Sequence, residues 1–368
     1  MQIEMTNRNQ TFIRSLNVFS ARKAAAIATA VLTSVLLTAC GGGSDTALDD
    51  ATAKSAAPES TAKAATSTSI FYGANGRNTN GGAYDATPVA TQLAQLKDIG
   101  ATIYRNDVYS LSSAKVVAKI AQTMAASDVT VYPVIMLGIG FNSEQDAYNA
   151  AYTLGQQVAG TYKYKYYEVG NELEAQALTG NVDGTSWTHY RNQPYVLARG
   201  VIRGLIAGVK SVDGSAKIVV NGTWLHYAFF QMLMDGSQPD GTRGHPTVSW
   251  DVTAWHWYSN QGDMTHACGG TGCYDMLGVL HSFGKPVWIN EFGVRPNFGS
   301  EQQIASYLAG NQMMAQYQSV ASQYNVQSIQ AFELYDDNEG AFGLLRSDGV
   351  SQKPAYSAYK NFVASHPM

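Results

Sequence analysis

Two glutamates stand where a folded chain could use them as a pair. Glu172 follows Asn171 at the end of the run Tyr166-Tyr167-Glu168-Val169-Gly170, and Glu291 follows Pro286-Val287-Trp288-Ile289-Asn290. Both runs are short, apolar and rich in β-branched or aromatic residues, as a buried strand is. A carboxylate at the carboxyl end of such a strand points into the mouth of a parallel sheet or barrel, where reacting groups sit. Two of them facing each other across a barrel have the geometry that glycoside cleavage needs: one proton donor for the leaving oxygen and one nucleophile on the opposite face. A single glutamate at a strand end is more often just solvated. Two at matching strand ends favour chemistry.

The elements that must position this pair repeat along the chain. Short apolar runs at 70–74, 101–105, 129–135, 165–170, 216–220, 252–257, 286–290 and 327–333 predict eight strands. Amphipathic segments with start signals lie between them. Thr87-Pro88 ahead of Val89, Leu93 and Leu96, with Gly100 beyond, reads as a helix with a first-turn proline and a C-terminal glycine. Ser143-Glu144-Gln145-Asp146 and Ser300-Glu301-Gln302-Gln303 resemble capping boxes, and a last helix is predicted over 354–364. Eight strands alternating with helices predict an α/β chain folded as a (β/α)8 TIM barrel, a single domain spanning 69–368. An open doubly wound sheet is the alternative. Gly73-Ala74-Asn75-Gly76-Arg77, after the first strand, lacks the glycine spacing of a dinucleotide site.

The N-terminus reads as an export signal. Arg8, Arg14, Arg22 and Lys23 precede an uncharged, mostly apolar stretch from Ala24 to Ala39, short for a membrane span. Leu37-Thr38-Ala39-Cys40 resembles the bacterial lipobox, so residues 1–39 are expected to be a lipoprotein signal peptide and Cys40 the lipidated N-terminus; an ordinary signal peptide or an uncleaved anchor is the alternative. Residues 40–68 are then a flexible tether, with too little apolar surface to offset the entropy of ordering it. This predicts a place in the bacterial cell envelope, with the membrane as partner through the anchor. Losing residues 1–40 removes four positive charges and one negative, taking the net charge from −4 to −7. That balance argues against nucleic acid as a partner. Of the three cysteines, Cys268 and Cys273 remain, spaced Cys-Gly-Gly-Thr-Gly-Cys, and predict a loop disulfide in preference to a zinc site with His266 and His281.

The ordered set of motifs resembles the retaining glycoside hydrolases of clan A: Asn171-Glu172 ending the fourth strand, His256-Trp257-Tyr258 the sixth, Glu291-Phe292-Gly293 the seventh. The closing Gly343-Leu344-Leu345 and Lys353-Pro354-Ala355-Tyr356 are similar to the tail of many members, and family 39 is a plausible neighbour. The resemblance implies that Glu172 is the general acid/base, Glu291 the nucleophile and Asn171 the partner of the sugar 2-hydroxyl. An ionised Glu291 calls for donors nearby, and Arg105 and Tyr258 are the expected ones. Arg105 has a second reading, as a structural charge paired with Glu168. His256 is expected at the site, against the alternative of a satisfied core histidine. Glu333 and Asp336 are rival carboxylates. Where many clan members stack a tryptophan on the sugar, the stretch Phe332-Glu333-Leu334-Tyr335 leaves Tyr335 as the expected floor. Sugar faces pack on aromatic rings, and among Trp187, Trp224, Trp257 and Tyr274 in or beside the loops, Trp224 is the first expected contact.

The function expected is a retaining β-glycosidase acting on a polysaccharide or oligosaccharide. No metal or organic cofactor is implied, because two carboxylates suffice. A transglycosylase using the same glutamates is one alternative, and a non-catalytic glycan-binding or export-assembly lipoprotein is another.

Overall fold

The computed structural model describes residues 70–368, so the expected signal peptide, Cys40 and the tether lie outside the described residues. Among the described residues, no helix is long and apolar enough to cross a membrane. Eight parallel strands close into a barrel: β1 (Phe71–Gly76), β2 (Ile103–Val108), β3 (Thr130–Ile135), β4 (Tyr166–Val169), β5 (Lys217–Thr223), β6 (Val252–Tyr258), β7 (Val287–Gly293) and β8 (Val326–Ala331). Each pairs with its neighbours in chain order, and β8 closes on β1. All eight predicted strands are present, inside a (β/α)8 TIM barrel.

Helices follow the strands on the outside and begin where the sequence signals them. Ser300 and Gln303 form a reciprocal capping box on the helix Glu301–Ala309. Ser143 Oγ accepts from the Asp146 backbone N–H at the start of Glu144–Thr161, and the last helix, Pro354–Ser365, opens on its proline. Each cap is worth about 1 kcal/mol. The helices Glu144–Thr161 and Asn192–Val212 pack so closely that a side chain at Gly204 or Gly208 would strike the backbone of the facing helix.

The inner faces of the strands explain why the site is polar. Side chains two apart share a face, and on five strands the inward residue switches from apolar to polar toward the carboxyl end: Ile103 then Arg105, Tyr166 then Glu168, Val219 then Asn221, Ala254 then His256, Trp288 then Asn290. The apolar members form their own buried cluster, with Trp288 edge-on to Phe71 (5.2 Å), Tyr132 (5.9 Å) and Tyr166 (4.7 Å). This plug fills the barrel and forms a dry floor. The polar layer stands on it.

Candidate active site

Arg105 is the centre of the polar layer, almost wholly buried at 2% exposure. Its Nε and Nη2 donate to the two oxygens of Glu168 at 2.6 and 3.0 Å, Nη2 also to Asn171 Oδ1 at 2.7 Å, and Nη1 to Asn75 Oδ1 at 2.8 Å and Glu291 Oε1 at 2.5 Å. Five donors make five bonds, the full capacity of a guanidinium. Burial alone would disfavour its charge, but Glu168 and Glu291 more than restore it. Glu168 Oε1 also accepts from Asn221 Nδ2 (2.6 Å) and Asn290 Nδ2 (2.9 Å). The two readings of Arg105 therefore meet in one side chain, which ties the barrel interior together and grips Glu291.

Glu291 reaches this layer through an irregular strand. Asn290 and Glu291 are consecutive yet both face inward, and β7 carries register shifts against β6 and β8 at this level. A bulge turns a second side chain to the same face. Tyr258 on β6 donates to Glu291 Oε2 at 2.9 Å. Burial and then the Glu291 charge push the Tyr258 hydroxyl well above its ordinary range, so it keeps its proton and stays a donor.

Glu172 sits beyond the end of β4 on a turn in which both Gly170 (φ 79°) and Glu172 itself (φ 44°) are left-handed. Its backbone N–H donates to Asn221 Oδ1 at 2.8 Å, which holds a conformation a glutamate rarely adopts. Its side chain is one-third exposed, against 8% for Glu291. His256 Nδ1 lies 2.8 Å from Glu172 Oε1 and 3.4 Å from Glu291 Oε2, with Nε2 4.0 Å from Glu168. A carboxylate oxygen of each glutamate and a ring nitrogen of His256 all fall within 4.8 Å of one another. Burial pushes His256 down, but the charge on Glu291 and the bond to Glu172 outweigh it and raise it. Burial pushes Glu172 up, but the bond and charge of His256 prevail and hold it below the usual carboxylate range. With no substrate bound, the proton shared by this pair therefore rests on the imidazole.

These three residues are also the ligand types a metal would need, but Arg105 already supplies the positive charge against Glu291. Cys268 and Cys273 face each other in a two-stranded hairpin and are joined in a disulfide, so no thiolate stands beside His266.

Tyr335 is not where the sequence reading put it. It is fully buried, its ring tilts against Tyr84 at 4.9 Å and its hydroxyl donates to Gln95 on the outer helix. The aromatic residue at this level that is not fully buried is Phe332, edge-on to Tyr258 at 5.9 Å and to Phe342 at 5.6 Å. Trp224 lies just past β5, half-buried, its ring stacked on Trp257 at 5.5 Å. Asp336 is held by Lys353 Nζ at 2.6 Å. Sequence reasoning missed Asn75, Asn221 and Asn290, although strand alternation from Gly73, Val219 and Trp288 points to each. It also missed Glu174, fully buried two residues past Glu172, whose Oε1 accepts from the Thr223 N–H at 2.9 Å and lies 3.4 Å from His226 Nδ1.

The rival Glu333 is sealed from solvent, with Tyr84 donating to its Oε2 at 3.0 Å. Burial, then the charge of Asp337, push its carboxyl from 4.5 up to about 10, with Arg77 opposing. It is a neutral acid at working pH. Because the folded state keeps a proton that the unfolded state releases, Glu333 costs increasing stability as pH rises from 4.5 toward 10. Glu333→Gln, which has no proton to lose, is expected to gain at least ~1 kcal/mol over the parent by pH 8 and almost nothing at pH 4. Thermal melts across that range measure it. A gain that shrank with pH would contradict the neutral carboxyl.

No family model matches this chain, and no curated protein does. Solved structures do. A β-glucosidase from Thermotoga maritima superposes with a TM-score of 0.61 at 11% identity, over 81% of this chain and 98% of that one. The virulence factor SghA of Agrobacterium tumefaciens gives 0.59 at 12%, over 83% and 99%. A family 39 glycoside hydrolase from Bacteroides cellulosilyticus WH2 gives 0.55 at 16%, over 80% of this chain and 64% of that one. At these identities the likeness establishes the barrel, and the chemistry rests on the side chains.

Proposed function

We propose that the protein is a retaining glycosidase, with Glu291 as nucleophile and Glu172 as acid/base. The observation that carries this reading is the approach of the two carboxylates: their nearest oxygens lie within 4.8 Å. Retaining enzymes hold the pair about 5–5.5 Å apart, and inverting ones leave about 6.5–9.5 Å for a water. The similarity of the barrel to a β-glucosidase and a family 39 glycoside hydrolase is consistent with it.

The side chains divide the work. Arg105 and Tyr258 hold Glu291 ionised and aimed, so that one of its oxygens can attack the anomeric carbon as the bond to the leaving oxygen breaks. Glu172, ionised at rest, receives the proton of His256 Nδ1 across the 2.8 Å contact and passes it to the leaving oxygen, which leaves both members of the pair unprotonated. In the second half, Glu172 takes a proton from water, the water oxygen displaces Glu291, and the shared proton returns to the pair. Asn171, with its carbonyl oxygen engaged by Arg105, keeps its amide N–H groups for a sugar hydroxyl. With the lipid anchor proposed at Cys40, this activity would be exerted in the cell envelope.

Digestion of a glycan panel followed by proton NMR in the first minutes tests the reading. The first product is expected to keep the anomeric configuration of its substrate. A first product of opposite configuration would end the retaining assignment, and longer glycans among the products would mark transfer to sugar in place of water.

A further inference from the structure

Three loops on the Glu172 side of the barrel mouth are locked into one wall. Asp183, in the loop after β4, accepts at Oδ2 from the Thr271 N–H (2.8 Å) and Oγ1 (2.7 Å) at the tip of the disulfide hairpin, and at Oδ1 from Thr185 Oγ1 (2.7 Å). These bonds bring its carboxyl down to about 2 against the opposing effect of burial. The hairpin backbone at Gly269 rests on Leu225, in the loop after β5, so closely that a Cβ there would lie 2.6 Å from Leu225 Cδ1. The end of β5 that carries this loop is pinned beside the site: the Thr223 N–H donates to Glu174, and Thr223 Oγ1 donates to the His256 carbonyl at 3.3 Å.

The residue next to Thr223 is Trp224, and its backbone is left-handed at φ 52°. Among the described residues, Glu172 and Asn325 are the other non-glycine cases, and Asn325 is an ordinary helix C-cap. Strained residues persist where the surroundings over-determine them, commonly at ligand sites. Here Trp255 Nε1 donates to the Trp224 carbonyl at 2.8 Å, and the ring is backed by the fully buried Trp257. Tyr274 on the hairpin meets Tyr227 edge-on at 5.8 Å, and Trp187 in the first loop is 49% exposed. The wall is aromatic, and a disulfide and a carboxylate clamp hold it rigid.

An acid/base must reach the bridging oxygen, so the leaving group lies on its side of the cut, over the loops after β4, β5 and β6. From this we propose that the wall is a leaving-group subsite with Trp224 as its stacking platform, and that the substrate is a pyranose chain continuing past the cleaved bond rather than a glycoside of a small alcohol or phenol. This inference rests on the glycosidase reading, which supplies the direction of the chain. Ring faces of successive sugars would pack on successive aromatic faces.

The test uses the full chain carrying Glu291→Gln, titrated with cello-, xylo-, laminari- and chito-oligosaccharides of two to six units by calorimetry. Affinity is expected to rise with length in at least one series. Trp224→Ala should cost about tenfold for the longer members, with Trp224→Phe retaining most of the affinity. Trp224→Gly removes the ring while suiting the left-handed backbone, so it keeps the test valid if the alanine variant fails to fold. Affinity independent of length, length dependence surviving loss of the ring, or no binding in any series would overturn the subsite. Failure of the glycosidase reading looks different: hydrolysis would persist in Glu291→Gln.

Discussion

Glu291→Gln is expected to leave a folded protein whose turnover is lower by on the order of 10⁴- to 10⁶-fold, the scale seen when a covalent nucleophile is removed. The replacement keeps the shape, its amide oxygen can accept from Arg105 and its NH2 can donate to the Tyr258 hydroxyl oxygen, so stability should change little while the attacking charge is lost. Glu172→Gln should cost about 10²- to 10⁴-fold, because it removes proton transfer and leaves the nucleophile in place. The two losses should also differ in kind. With an activated aryl leaving group, cleavage needs little acid assistance, so the Glu172→Gln defect should shrink in the first step and reappear in the second, where water must be deprotonated. Rapid-quench kinetics on such a substrate separates the steps, and a burst of phenol is the expected signature for Glu172→Gln alone. Activity within about tenfold of the parent in Glu291→Gln would move the nucleophile elsewhere, and the neutral, sealed Glu333 could not take its place.

The barrel was legible because strand and helix periods alternate eight times, and the two glutamates because each closes a buried run. What the sequence could not display was the local geometry that brings them together. Strand alternation places Glu168 and Asn290 inside the barrel, but carried one step further along β7 it turns Glu291 outward. The bulge that corrects this leaves no mark in the residue types. Glu172 likewise owes its position to two left-handed residues in a turn, not to the parity it shares with Glu168. Tyr335 was misplaced for a similar reason. An aromatic residue near a strand end fits a sugar platform and an outer packing layer equally well, and its burial against Tyr84 and its bond to Gln95 distinguish them. The buried asparagines Asn75, Asn221 and Asn290 have a plainer lesson: a polar residue two steps beyond an inward apolar one is a positional signal in its own right.

Arg105→Met should be the most destabilising single substitution at the site, by about 3–5 kcal/mol, because it leaves Glu168 as a buried carboxylate without its ion pair. Asn221 and Asn290 would still donate to Glu168, but two amides and an imidazole nitrogen 4.0 Å away do not replace a guanidinium bonded to both carboxylate oxygens. Arg105→Lys should recover only part of the loss, since an ammonium has three donors against the five that the site uses. The informative variant is Arg105→Met with Glu168→Gln. Removing the orphaned charge should make the double variant more stable than Arg105→Met alone, a non-additivity expected of groups in one network. Its activity should not return with its stability. Glu291 would still lack the guanidinium at 2.5 Å, and Asn171 would still lack the donor that orients its amide. Urea midpoints and kcat/KM, measured on Arg105→Met, Glu168→Gln, the double variant and the parent, therefore divide the two roles of one side chain. Stability and activity recovering together would reduce Arg105 to a structural residue. Stability losses that simply added would show that Glu168 does not depend on Arg105 for its burial.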